Sequence, residues 1–236
     1  MTPMMKKTKR ILLIITGHTI DPVRAKLLNT DDHFGALTNG ASLIPYAVCE
    51  DAKAPSLAEF SGVIMTGSAA MLADNSPWMN TAKDLVKQCL DEEIPFLGVC
   101  FGHQMLGSVC GAAVGPNPKG RNNGTCLVEV ENESPLFAGI PKTFYAQISH
   151  RDVVLERRPI FAVTARTSHD PHHSIQVGKN AFGVQFHPEW NMDISKAYID
   201  AREQLLGTQT ASKMRESLRP SPHASIVVQN FVALCR

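Results

Sequence analysis

The stretch Ile94-Pro-Phe-Leu-Gly-Val-Cys100-Phe-Gly-His-Gln104 leaves this chain few folds to choose from. Ile94, Phe96, Leu97 and Val99 make a near-continuous apolar run, the kind that fills a parallel strand buried on both faces. From Phe101 onward, Met105, Leu106 and Val109 recur at helical spacing. Cys100 therefore falls in a sharp turn between a strand and a helix, with Gly98 and Gly102 two residues to either side. A tight elbow needs glycine there, because side chains would collide with the neighbouring backbone. The pattern is the sulfur counterpart of the Gly-x-Ser-x-Gly elbow that exposes a nucleophile at the top of an α/β sheet. A helix N-terminus offers partial positive charge and free N–H groups, which favour anionic sulfur. Taken alone, the motif reads equally well as a buried core cysteine beside a turn.

A second motif decides between these readings. In Gly183-Val-Gln-Phe-His187-Pro-Glu189, Val184 and Phe186 alternate with Gln185 and His187 as in a strand. His187 and Glu189 are two residues apart, so an extended segment turns both to the same side. Pro188 cannot donate a ladder hydrogen bond and marks the strand's end. A carboxylate beside an imidazole fixes its tautomer and stabilises its protonated form. A nucleophilic thiolate needs that imidazole first as base and then as proton donor to a leaving amine.

Together, GVCFGHQ and QFHPEW resemble the class I (triad) glutamine amidotransferase family, and most of all the free-standing branch related to the amidotransferase domain of GMP synthase. The likeness covers about residues 10 to 190. It implies Cys100 as nucleophile, His187 as general base and acid, and Glu189 as the carboxylate that orients it. It also implies a backbone oxyanion hole from Phe101 and from Gly67. At the latter the chain departs from the family's Gly-Gly-Pro-x-Ser loop, reading Thr66-Gly67-Ser68 instead. Ser149-His150-Arg151-Asp152 resembles the Ser-His-x-Asp stretch whose backbone holds substrate glutamine in the GMP-synthase-type domain, so Ser149 and His150 join Gln104 as expected substrate-binding residues. The resemblance implies L-glutamine as substrate, no cofactor, and a separate synthetase subunit as acceptor of the released ammonia. Three alternatives stay open: a γ-glutamyl peptidase acting on glutathione-like amides, a regulatory subunit whose triad is silent until a partner docks, and a Cys-elbow family of the chaperone/deglycase sort. The distant His-x-Glu pair argues against the last.

The remaining sequence bounds these readings. With 236 residues the chain is long enough for one sizeable α/β domain and short of two typical ones. A single domain over 1–236 is expected, with a core at about 10–190 and a helical extension at about 191–236. A net charge of +1 gives no electrostatic case for nucleic acid. Six cysteines without CxxC spacing suit a reducing cytoplasm. The basic start MTPMMKKTKR is followed by only five apolar residues, Ile11 to Ile15, too few for a signal peptide or a membrane span.

In chain order, strands are expected at Arg10–Thr16, Leu43–Val48 and Gly62–Thr66. A first helix is expected from Asp21-Pro22 towards Asn39-Gly40, and another after Ser76-Pro77 with Ser76 as cap. An antiparallel strand is expected at Thr125–Val130, with further strands at Ile160–Ala165 and Ile175–Val177 leading back to the His187 strand. His18 and His33 read as surface residues. His169-Asp-Pro-His172-His173 lacks a defined zinc spacing and reads as a solvated loop, so no metal is expected. Ile194–Leu206 and Ile226–Leu234 have helical spacing, separated by a polar stretch from Gly207 to Ser221. These helices pad the fold or, on the second reading, join copies of the chain into a homo-oligomer. The architecture implied is α/β: an open, mostly parallel sheet flanked by helices, flavodoxin-like, with an antiparallel extension.

Overall fold

A computed structural model describes residues 8–50 and 53–235; the first seven residues of the basic start lie outside them. The first half of the chain runs β1 (Arg10–Ile15), α1 (Asp21–Leu27), α2 (Thr30–Gly35), β2 (Ser42–Ala47), β3 (Gly62–Met65), α3 (Trp78–Asp91), β4 (Phe96–Val99) and α4 (Phe101–Val109). Seven short strands follow: β5 (Val114–Pro116), β6 (Asn122–Val130), β7 (Thr143–His150), β8 (Asp152–Val154), β9 (Phe161–Arg166), β10 (Ser174–Val177) and β11 (Ala181–Val184). The chain closes with α5 (Met192–Ala201), α6 (Glu203–Leu206), α7 (Thr208–Ser217) and α8 (Ile226–Leu234).

Nine strands form one sheet in the order β2-β1-β3-β4-β11-β10-β9-β6-β7. The first five pair in parallel and the rest antiparallel. The parallel half has the flavodoxin-like order of doubly wound sheets, which place ligands beyond the carboxyl ends of their strands. The expected architecture holds, and both halves belong to one continuous sheet.

Strand periodicity explains why both faces are covered. Along β1, Ile11, Leu13 and Ile15 point to one core and Leu12 and Ile14 to the other. On the second face lie α3, through Leu85 and Val86, and α4, through Met105 and Leu106. The first face is sealed from the far end of the chain: Val227, Val228 and Phe231 of α8 are fully buried in its core. α7 packs Ala211 and Leu218 beside Ile199 of α5. Among the described residues, no helix is long and apolar enough to cross a membrane.

Four local expectations are corrected. The first helix is two helices, because Leu28 takes φ 69° and Asp32 caps a new start by accepting from the Asn29 N–H at 3.0 Å. At the start of α3, Pro77 occupies the cap position in helical geometry and no side chain caps it; the Ser76 and Pro77 carbonyls accept from the Met79 and Asn80 N–H groups. The polar stretch after Gly207 contains α7, whose apolar stripe is too thin to show in the sequence. The last strand ends at Val184, short of His187.

Candidate active site

The centre of the site is the junction of β4 and α4. Cys100 sits between them with φ 52° and ψ −99°, a conformation that a non-glycine residue adopts only where its surroundings force it. The forcing contacts are visible. A Cβ on Gly98 would lie 2.3 Å from the carbonyl oxygen of Gly102, and one on Gly102 would lie 2.5 Å from that of Met65. The helix can therefore start immediately after the strand only because both positions lack side chains. Phe101 is the first residue of α4, where a backbone N–H has no acceptor within the helix.

The loop after β3 supplies the facing wall. The Thr66 carbonyl accepts from the Gly102 N–H at 3.2 Å and from the Thr16 hydroxyl at 3.0 Å. A planar trans peptide then points the Gly67 N–H in the opposite direction. The Thr16 hydroxyl also reaches the Gly67 carbonyl at 3.0 Å, so the loop is pinned from both sides. A Cβ on Gly67 would fall 2.9 Å from Cε1 of His187 and 3.3 Å from Cβ of Cys100. Glycine is thus what lets this loop approach the cysteine and the histidine together.

His187 comes from beyond β11. Its backbone N–H donates to the Gln147 carbonyl at 2.9 Å, an isolated bridge to β7. After it the chain turns, with the Trp190 N–H returning to the His187 carbonyl at 3.3 Å. The sequence expectation of an extended His-Pro-Glu is corrected on this point, yet the side chains do meet: Nδ1 of His187 lies 2.8 Å from Oε1 of Glu189. Both are buried, and His187 shares its cleft with Cys100. Burial alone would lower the His187 pKa. The Glu189 carboxylate and the Cys100 sulfur outweigh it and hold the imidazole above its ordinary value. The second oxygen of Glu189, Oε2, is buried without a hydrogen-bond partner.

Trp190, the last residue of the QFHPEW motif, and two residues that sequence reading left out, Tyr198 and Arg202, complete the walls. The His187 ring stacks on Trp190 at 3.8 Å between centroids, Trp190 stacks on Tyr198 at 4.3 Å, and the Arg202 guanidinium lies over Tyr198 at 5.3 Å. Tyr198 and Arg202, one helical turn apart, were the available signal, hidden because the stretch reads as a padding helix. His18 is exposed, as expected, pairs with Glu50 at 2.7 Å and also lines the cleft beside Gly17, Gly67 and Trp190.

The expected substrate-binding residues all border the cysteine. Gln104, Ser149 and His150 line a cleft that opens on Cys100. Gln104 is buried, and its amide nitrogen is committed to the Asp152 carbonyl at 2.7 Å and to Gln185 at 3.2 Å. The Ser149 hydroxyl donates to Asn123 at 2.8 Å and accepts from Arg202 at 2.9 Å. His150 is buried with neither ring nitrogen hydrogen-bonded to a side chain.

The expected solvated histidine loop is solvated only in part: Pro171 is exposed and His169 and His172 are half-buried, but Asp170 and His173 belong to the core. His173 and Asp170 are both wholly buried and 3.1 Å apart, with His173 stacked on Phe186 and 3.7 Å from the Cys126 sulfur. Asp-Pro sets a turn, but that turn faces inward because β10 and β11 fold over it. Among the described residues, no group of three or more His, Cys, Asp or Glu side chains is placed to hold a metal ion.

Two further buried histidines beside this pair weaken the fold in acid. Burial drives His103 down to about 4 and His150 down to about 3. An unfolded chain titrates its histidines near 6.5, so below that pH the unfolded state binds protons that the folded state refuses. The contribution of these two histidines to stability is therefore full above about pH 6.5 and is lost as pH drops towards 4, by about 1.4 kcal/mol per pH unit for each. Urea unfolding between pH 7 and 4 measures the slope. His103→Gln should make it shallower by about one proton, and an unchanged slope would rule out this origin.

Comparison with known proteins places this geometry. Residues 32–202 match the model of the family described as glutamine amidotransferase class-I. The chain belongs to the class-I glutamine amidotransferase family. Curated family relatives include the "GMP synthase [glutamine-hydrolyzing]" of Aeropyrum pernix, 33% identical over 149 residues that make up 63% of this chain and 28% of that protein. The protein of the same name from Petrotoga mobilis is 30% identical over 162 residues, 66% of this chain and 31% of its own. The chain thus spans less than a third of the curated relatives it matches. Among solved structures, a glutamine amidotransferase from Thermotoga maritima shares the fold with TM-score 0.77 at 22% identity, covering 97% of both chains. One from Methylobacillus flagellatus does so with TM-score 0.75 at 15% identity, covering 98% of this chain and 96% of its own.

Proposed function

We propose that this family member hydrolyses the γ-amide of L-glutamine, with Cys100, His187 and Glu189 as its catalytic residues. The observation that carries the reading is the constellation itself: sulfur at a strained elbow, sharing one cleft with an imidazole whose Nδ1 is held by a buried carboxylate. Cys100 thiolate attacks the amide carbon, and the carbonyl π electrons move to oxygen. The backbone N–H groups of Phe101 and Gly67 stabilise that oxyanion; removing one such donor from other enzymes costs about 3 kcal/mol. Collapse of the tetrahedral adduct breaks the C–N bond, and protonated His187 gives its proton to the leaving ammonia. Neutral His187 then takes a proton from water, whose oxygen attacks the thioester. Glutamate leaves, the thiolate returns and His187 is protonated again. Glu189 holds the Nδ1 proton throughout.

The ammonia goes, on this reading, to a synthetase subunit that uses it as nitrogen donor. The names of the Aeropyrum and Petrotoga relatives support that role. The test is steady-state release of ammonia and glutamate from L-glutamine, with γ-glutamyl peptides as parallel substrates. Equimolar ammonia and glutamate from glutamine is the expected result. Cleavage of peptides with glutamine untouched would replace a glutaminase by a γ-glutamyl peptidase using the same triad.

A further inference from the structure

Glycine at position 67 makes room, since a side chain there would strike His187 and Cys100. The same residue removes restraint, because glycine visits more backbone conformations than any other. An N–H that is to meet a developing negative charge contributes most when it is aimed beforehand. The loop Thr66-Gly67-Ser68-Ala69 contains no proline to hold its backbone. Another device must therefore fix the two peptide planes that meet at Gly67.

The end of β1 supplies it. β1 and β3 pair in parallel, and Thr16 and Thr66 each follow directly on one of these strands. Both are buried, and the Thr16 N–H donates to Oγ1 of Thr66 at 3.1 Å. Two hydroxyl protons then face two carbonyls. The Thr16 hydroxyl lies 3.0 Å from the carbonyl oxygens of both Thr66 and Gly67, and the Thr66 hydroxyl lies 3.2 Å from that of Gly67. A hydroxyl has one proton to give, so both carbonyls are served when Thr16 donates to Thr66 and Thr66 to Gly67. The first carbonyl fixes the plane that carries the Gly67 N–H, and the second fixes the plane that follows. Ser68 returns the contact, donating its hydroxyl to the Thr16 carbonyl at 2.7 Å.

We infer that Thr16 and Thr66 form a hydroxyl clasp that presets the Gly67 N–H for the oxyanion, which makes both of them positioning residues for acyl transfer. This rests on the reading above, with Cys100 as the attacking group and Gly67 as an oxyanion donor. Each hydroxyl acts through a backbone carbonyl. The clasp therefore leaves the reactivity of the thiol alone and bears only on reactions in which a carbonyl oxygen gains charge.

The test uses two reagents that need no recognition of glutamine. p-Nitrophenyl acetate acylates a thiolate through an oxyanion and expels p-nitrophenolate. Iodoacetamide alkylates the same thiolate by displacing iodide and forms no oxyanion. Rates at Cys100, taken as the difference from Cys100→Ala protein, are compared in native protein, Thr16→Val, Thr66→Val and Thr16→Ser. Loss of a whole oxyanion donor costs about 10²- to 10³-fold, and a donor that is present but no longer aimed should cost about 10- to 100-fold. Acylation should fall by that amount in the valine variants while alkylation stays within about twofold. Thr16→Ser, which keeps the hydroxyl, should recover most of the loss. Two valine variants on different strands keep the test open should one fail to fold. Acylation and alkylation that fall together, acylation that is unchanged, or a serine variant no better than its valine counterpart would overturn the assignment. If the two rates separate as expected but native protein hydrolyses neither glutamine nor γ-glutamyl peptides, the clasp stands and the hydrolase reading fails.

Discussion

Cys100→Ala abolishes glutamine turnover, by about 10⁴-fold or more, while the protein keeps its fold and its affinity for glutamine. The size follows from how a nucleophile and its base act as a unit: removing the attacking atom leaves only binding and the oxyanion hole. The fold survives because the substitution removes a single sulfur atom and retains the Cβ. The unusual φ of 52° is imposed by the neighbours of Gly98 and Gly102 and does not depend on the thiol. A second effect separates loss of chemistry from loss of structure. The Cys100 sulfur is one of the groups that raise the His187 pKa, so the alanine variant should have a more acidic His187, still raised by Glu189. Steady-state kinetics, thermal unfolding and an NMR titration of the imidazole check the three parts. Normal turnover by folded Cys100→Ala protein would remove the whole scheme.

Gly98→Ala gives the largest expected loss of stability. The added methyl would meet the Gly102 carbonyl oxygen at 2.3 Å, its carbon at 2.4 Å and the His103 nitrogen at 2.7 Å. These are backbone atoms of the first turn of α4, so no rotamer change relieves the clash. The helix must move away from the sheet, against Met105 and Leu106 packed in the core beneath it. Overpacking of a close-packed interior costs about 1–3 kcal/mol where side chains can give way, and about 3 kcal/mol or more is expected here. Displacement of α4 also carries Phe101 away from Gly67, so activity should fall even in the fraction that folds. Urea unfolding with unchanged midpoint would show that the elbow is looser than its contacts indicate.

The elbow and the histidine–carboxylate pair were legible because their chemistry is local. Gly98, Cys100 and Gly102 announce a turn by spacing alone, and two residues separate His187 from Glu189. The parallel half of the sheet was legible for a similar reason, since buried strands such as Ile11–Ile15 have few other readings. What stayed hidden depends on packing between distant segments. Tyr198 and Arg202 reach the site only because α5 lies against β7. His173 and Asp170 look like solvated turn residues until β10 and β11 enclose them. The break at Leu28 was in principle readable, since Asn29-x-x-Asp32 is a helix-start signature, though the longer apolar periodicity conceals it.

The stack of His187 on Trp190 turns the site into its own optical probe. The chain has two tryptophans, and one of them lies 3.8 Å, ring on ring, from the proton-transferring imidazole. An imidazolium quenches indole emission by accepting an electron from the excited ring, whereas neutral imidazole does so weakly. Each turnover that discharges His187 should therefore brighten Trp190 until the proton returns. Stopped-flow fluorescence, with Trp78→Phe to silence the background, would let the acid and base halves of the cycle be timed without labelled substrate.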